Sequence, residues 1–65
     1  MKVIIEPNRG LLKVTIVWFN GRERIVCNKV IDLRNGGREI NEKMVLNNVM
    51  ELHYNARTRV LKVVR

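Results

Sequence analysis

An Asn-Gly step followed shortly by Arg-Glu and an isoleucine occurs twice in 65 residues, as WFNGRERI at 18–25 and LRNGGREI at 33–40. Asn-Gly between alternating apolar runs is the strongest short-range hairpin signal. A type I′ turn needs positive φ at both central positions, which Asn tolerates and Gly prefers. With Asn20 and Gly21 at the turn, Phe19 faces Arg22, Ile16 faces Ile25, Val14 faces Cys27 and Leu12 faces Lys29. The same count around Asn35 and Gly36 sets Leu33 against Arg38, Ile31 against Ile40, Cys27 against Met44 and Ile25 against Leu46. Both hairpins select one apolar face, so register and burial agree. The register also sets Asp32 opposite Glu39, a like-charge pair that calls for Arg34 or Arg38 to lean in.

The segment PNRG at 7–10 reads as an earlier turn, with Pro where φ near −65° is wanted and Gly where the chain leaves. Looping out those residues places Ile5 opposite Leu12 and Val3 opposite Val14. Strands at about 2–6, 11–19, 22–34 and 38–46 then share one buried face. It comprises Val3, Ile5, Leu12, Val14, Ile16, Trp18, Ile25, Cys27, Ile31, Leu33, Ile40, Met44 and Leu46. A bend or bulge is expected near Asn28 and Lys29, where the alternation breaks. The reverse face carries Ile4, Leu11, Val17, Phe19, Val26, Val30 and Val45, so it needs partial cover from this chain, a second subunit or a ligand.

Beyond Leu46 a continued meander would swap the buried side. Residues 49–55 read as a strand, alternating cleanly from 50 to 55, and lead through NART to a last strand at 59–64; the other reading is a helix over 41–54, whose apolar residues would scatter around the wheel. The expected fold class is therefore mainly β, a small antiparallel meander of five to six strands closing part-way into a barrel. The alternative is α+β, with one helix around 41–54. Residues 1–65 are expected to form a single small basic domain, near the size at which one core barely suffices.

Charge narrows the partners. Thirteen Lys and Arg oppose six Asp and Glu, giving +7 and a pI near 10.6. Eight of the thirteen cations are Arg, whose planar fork grips phosphate at two points. Nucleic acid, DNA or RNA, leads the expected partners, with a homo-oligomer second. No membrane partner is expected, because the cations do not line an amphipathic helix and MKVIIEP is too short an apolar run for a signal peptide or a span. With its one cysteine, the chain suits a reducing, cytoplasmic setting.

Alternating turns of a meander gather Arg9, Arg34, Arg38, Arg57 and Arg59 at one end of the sheet and leave Arg22 and Arg24, beside Phe19, at the other. These residues and Lys13 are the candidate nucleic-acid contacts: arginines for phosphate, Phe19 as a ring on which a base stacks. Only Trp18, Phe19 and Tyr54 are aromatic, so duplex phosphate contact is favoured over base stacking, and Trp18 is expected to anchor the core. Single His and Cys residues exclude a zinc constellation within one chain, and no metal or cofactor is expected. Cys27, on the core face, reads as a small hydrophobe. Glu51, His53 and Asn55 share one strand side near Arg57 and Arg59, a set that could cleave RNA by acid-base chemistry, but its spacing is unspecific. The chain is expected to be a binding module and not an enzyme, with an interaction or structural protein as the alternative and a small ribonuclease using His53 as a remote one.

Overall fold

A computed structural model describes residues 1–33, 36–37 and 39–65. Among them are eight strands and no helix: β1 (Lys2–Asn8), β2 (Leu11–Val17), β3 (Glu23–Cys27), β4 (Asp32–Leu33), β5 (Gly36–Gly37), β6 (Met44–Leu46), β7 (Glu51–Asn55) and β8 (Val60–Val64). The mainly β expectation holds. The helix alternative for 41–54 does not, since β6 and β7 occupy that segment. A single meander closing into a barrel is also replaced. The strands divide into two four-stranded sheets, ordered β3-β2-β1-β6 and β5-β4-β8-β7, with β4 and β8 parallel and the other pairs antiparallel.

The division falls where the apolar alternation breaks. After Cys27 the chain leaves the first sheet, buries Val30 completely between the layers, and enters the second sheet at Asp32. The expected bend near Asn28 and Lys29 is thus a crossover. Val30, assigned to the reverse face, belongs to the core. The buried cluster joins Val3, Ile5, Leu12, Val14, Ile16 and Cys27 of the first sheet to Leu61 and Val63 of the second, with Val30, Ile40 and Val49 contributed by connections. Both sheets cover one apolar layer, as alternating strands require.

The β1–β2 hairpin is tighter than expected. Val3 pairs with Ile16 and Ile5 with Val14, so the loop is only Arg9 and Gly10, with φ of 51° and 79°. This is the doubly left-handed geometry of a type I′ turn. Pro7 is tolerated inside β1 because β6 pairs only with Val3, Ile4 and Ile5, so no ladder bond is asked of the missing N–H.

The Asn20-Gly21 hairpin forms at the expected place but not in the expected register. The amide of Trp18 donates to the Arg22 carbonyl (2.8 Å), and that of Gly21 to the Trp18 carbonyl (3.0 Å). Phe19, Asn20 and Gly21 are therefore a three-residue loop closed by a left-handed glycine, φ 83°. One added loop residue turns every following side chain to the other face. Thr15 now pairs with Ile25 and Ile16 with Arg24, and Ile25 becomes exposed. A bulge between Val14 and Thr15 reverses the slip, so that Val14 meets Cys27 as expected and the thiol is buried.

The second predicted hairpin is corrected further. Leu33 pairs with Gly36 instead of Arg38 and Asp32 with Gly37, a register two residues off the expected one, and β6 lies against β1 instead of β3. Asp32 does not face Glu39. Asn35 itself lies outside the described residues. Met44 and Leu46 still turn toward the core, because alternation decides which side chains point inward whatever strand lies alongside. Trp18 and Ile31, expected in the core, are partly exposed; Trp18 sits one residue past the end of β2.

Candidate nucleic-acid interface

Two hairpin tips lie at one end of the molecule. The first is the Arg9–Gly10 turn. The second joins β7 to β8 through residues 56–59, where the Arg59 amide donates to the Asn55 carbonyl (2.7 Å) and Asn55 Oδ1 accepts from the amides of Arg57 (3.0 Å) and Thr58 (3.3 Å). The Asn55 side chain is thus engaged in fixing this tip, an Asx-type turn. Arg59 ends the loop with φ 60°. Among the described non-glycine residues, only Arg9, Asn48 and Arg59 have positive φ, so two of the three left-handed positions carry arginine where Gly or Asn is the easier choice.

An open groove of about 480 Å³ runs between these tips, lined by Gly10, Leu11, Val26, Cys27, Asn28, Lys29, Tyr54 and Arg59. Its walls come from both sheets and from the crossover. Tyr54 donates its hydroxyl to the Lys29 carbonyl (3.1 Å), and the Ile31 amide donates to the Arg59 carbonyl (3.3 Å), so the 28–31 segment is tied to the second sheet on both sides of Val30. Two cations and no carboxylate line the groove. Cys27 is at its floor, with burial raising the thiol pKa against a smaller opposing effect of a backbone hydrogen bond at Lys29. The thiol therefore stays protonated at neutral pH, as suits a packing residue.

The remaining candidates scatter. Lys13 and Arg24 line a second groove at the β2–β3 side of the first sheet, with Thr15, Glu23 and Ile25. There Lys13 Nζ is 3.9 Å from Glu6 and Glu23 lies alongside, so the positive charge is largely offset. Arg22 closes the β2–β3 tip, its amide donating to Asn20 Oδ1 (3.1 Å). Phe19 stands at that tip, 91 % exposed. Arg57 is exposed in the 56–59 loop. Arg34 and Arg38 lie outside the described residues.

Sequence reasoning missed Asn28, Lys29 and Tyr54, because a continuous strand through 22–34 gave the crossover no role. The broken alternation at Asn28–Lys29 was the available signal.

His53 Nε2 lies 3.2 Å from Glu51 Oε2, both exposed on the outward side of β7, with Lys62 opposite His53. Among the described residues no group of three His, Cys, Asp or Glu could hold a metal ion, and no helix is long and apolar enough to cross a membrane. No protein-family model, curated protein or solved structure matches this chain.

Proposed function

We propose that this chain is a non-enzymatic nucleic-acid-binding module whose phosphate contacts centre on the groove between the two arginine-bearing tips. The observation that carries this reading is a groove that holds Lys29 and Arg59 and no carboxylate, with Arg59 in left-handed backbone and Arg9, also left-handed, directly before the lining residue Gly10. The fixed backbone of such a turn sets where the side chain leaves the chain, so the root of each arginine is placed before any ligand arrives. Cations rooted in a fixed turn lose less backbone entropy on gripping a phosphate than cations on mobile loops. Arg57, in the same loop as Arg59, and the +7 excess over the whole chain extend the attraction beyond the groove.

The test is a binding titration on duplex DNA and on duplex RNA over a range of salt. With about five phosphates neutralised, log affinity falls against log salt with a slope of about −4 to −5. A flat response rejects the proposal.

One observation favours a second reading, a homo-oligomer. The registers place Val45, Ile4, Thr15 and Ile25 in a single outward row across all four strands of the first sheet, with the Glu6–Lys13 pair in the neighbouring row. A second copy related by a two-fold axis along the strands, between β1 and β2, would lay Ile25 over the partner subunit's Val45 and Lys13 over the partner subunit's Glu6. Light scattering then gives a dimeric mass that Ile25→Lys reduces to a monomer; a monomer at all concentrations removes this reading.

A further inference from the structure

Opposite the arginine end, the β2–β3 tip exposes two adjacent aromatic rings. Phe19 is 91 % and Trp18 42 % exposed, and together with Met1, Lys2, Val17, Asn47 and Asn48 they line a groove of about 240 Å³. Soluble domains rarely leave two neighbouring large rings in water without a use for them. The backbone that carries them is fixed. The Trp18–Arg22 and Gly21–Trp18 backbone bonds close the loop and Asn20 Oδ1 caps the Arg22 amide, while Lys2 is paired opposite Val17 across β1 and β2.

The groove's chemistry narrows its occupant. Its walls supply flat apolar rings, two side-chain amides at Asn47 and Asn48, a side-chain ammonium at Lys2 and no carboxylate. Arg22, at the foot of the same loop, adds a second cation. Asn48 is held in left-handed backbone, φ 57°, directly before the buried Val49, whose amide donates to the Met1 carbonyl (2.9 Å). Rings offer stacking to any base, amides can both donate to and accept from a base edge, and the cations suit the attached phosphate. A base with its attached phosphate uses the rings, the amides and the cations in one ligand.

We propose that the Trp18–Phe19 tip is a subsite for an unpaired nucleobase, so that the module prefers single-stranded nucleic acid, or single-stranded regions flanking a duplex, to a continuous duplex. The base stacks on Phe19 or Trp18, with the Asn47 and Asn48 amides at its edge and its phosphate near Lys2 or Arg22. This rests on the nucleic-acid reading above and adds a second contact region at the far end of the chain from the arginine groove.

Trp18 is the sole tryptophan, so its emission reports on this tip alone. The experiment titrates the full chain with a single-stranded 16-nucleotide DNA of mixed sequence and with the blunt duplex of the same sequence, following Trp18 fluorescence and, independently, anisotropy of end-labelled DNA. The expected result is strong quenching by the single strand, weak quenching by the duplex, and a loss of about tenfold in single-strand affinity in Phe19→Ala with duplex affinity held within about twofold. Phe19 is nearly fully exposed, so this variant keeps the fold. If both DNAs bind by anisotropy with the expected salt slope while Trp18 emission and the Phe19→Ala affinities do not change, the subsite is refuted and the phosphate reading stands. If neither DNA binds, both fall together.

Discussion

The β1–β2 and β2–β3 tips occupy opposite ends of the same strand, and they solve the same chain reversal in different ways. At the first, two residues suffice, and an arginine takes a left-handed conformation that costs about 1–2 kcal/mol relative to glycine. At the second, three residues are used and the only left-handed position is Gly21, where no such cost arises. A fold selected only for stability would place its glycines and asparagines as economically at the first tip as at the second. Strain retained at Arg9, and again at Arg59, fits residues kept for what their side chains reach, since strained backbone gathers at functional sites. The other tip instead spends its exposure on rings.

The sharpest way to break this contrast is to remove both strained arginines. Arg9→Gly with Arg59→Gly should weaken duplex binding roughly 60-fold at 0.1 M salt, if each contact contributes about 0.9 of a log unit per tenfold in salt, and should make the salt slope about two units shallower. Unchanged affinity would mean that the two arginines do not contact phosphate. A smaller effect is expected at the groove floor: Cys27 in the folded chain should react with a thiol reagent at pH 7 at least about tenfold more slowly than in urea, because it is buried and its pKa is raised. The raised pKa also sets a sign. The unfolded thiol ionises first as pH rises, so this group's contribution to stability is lost on going up through the ordinary thiol range, and Cys27→Ala should flatten that alkaline decline.

Substitutions at the turn glycine and the turn arginine should act in opposite directions on stability. Gly21→Val forces a β-branched residue to φ 83° and should cost about 1–2 kcal/mol by urea denaturation, although open space surrounds the position. The smallest effect, and the most telling one, is for Arg9→Gly alone. It should leave stability equal or raise it by about 0.5 kcal/mol, the relief of backbone strain being partly offset by the greater freedom of glycine in the unfolded chain, while weakening binding. A change that stabilises the fold and harms the ligand would separate function from architecture at that residue.

What the sequence made legible was the direction of side chains more than the partners of strands. Val3, Ile5, Leu12, Val14 and Ile16 alternate strictly enough that any pairing leaves them inward, and all are buried, while Cys27 is inward through the bulge in the β2–β3 pairing. The neighbour of β6 could not be read in the same way, because Met44 and Leu46 satisfy the core equally well beside β1 or β3. Ile25 was misplaced for a local reason, a loop one residue longer than Asn-Gly suggests, followed by a bulge that conceals the slip from a count made further along the strand, and Trp18 because β2 ends at Val17. In the interface, the arginine tips followed from turn spacing, and the arrangement places Gly10 and Arg59 on one groove. Lys29 and Tyr54 did not follow, since their meeting depends on a crossover between sheets and on a hydrogen bond spanning 25 residues.

The most direct measurement of the central claim is the affinity of the unmodified chain for a duplex of about 20 base pairs, determined by anisotropy from low to moderate salt. Binding that weakens along a straight log-log line, with a slope of about −4 to −5, would mean that several phosphates are neutralised together. Absent binding, or binding indifferent to salt, would contradict a phosphate-gripping role for this basic fold.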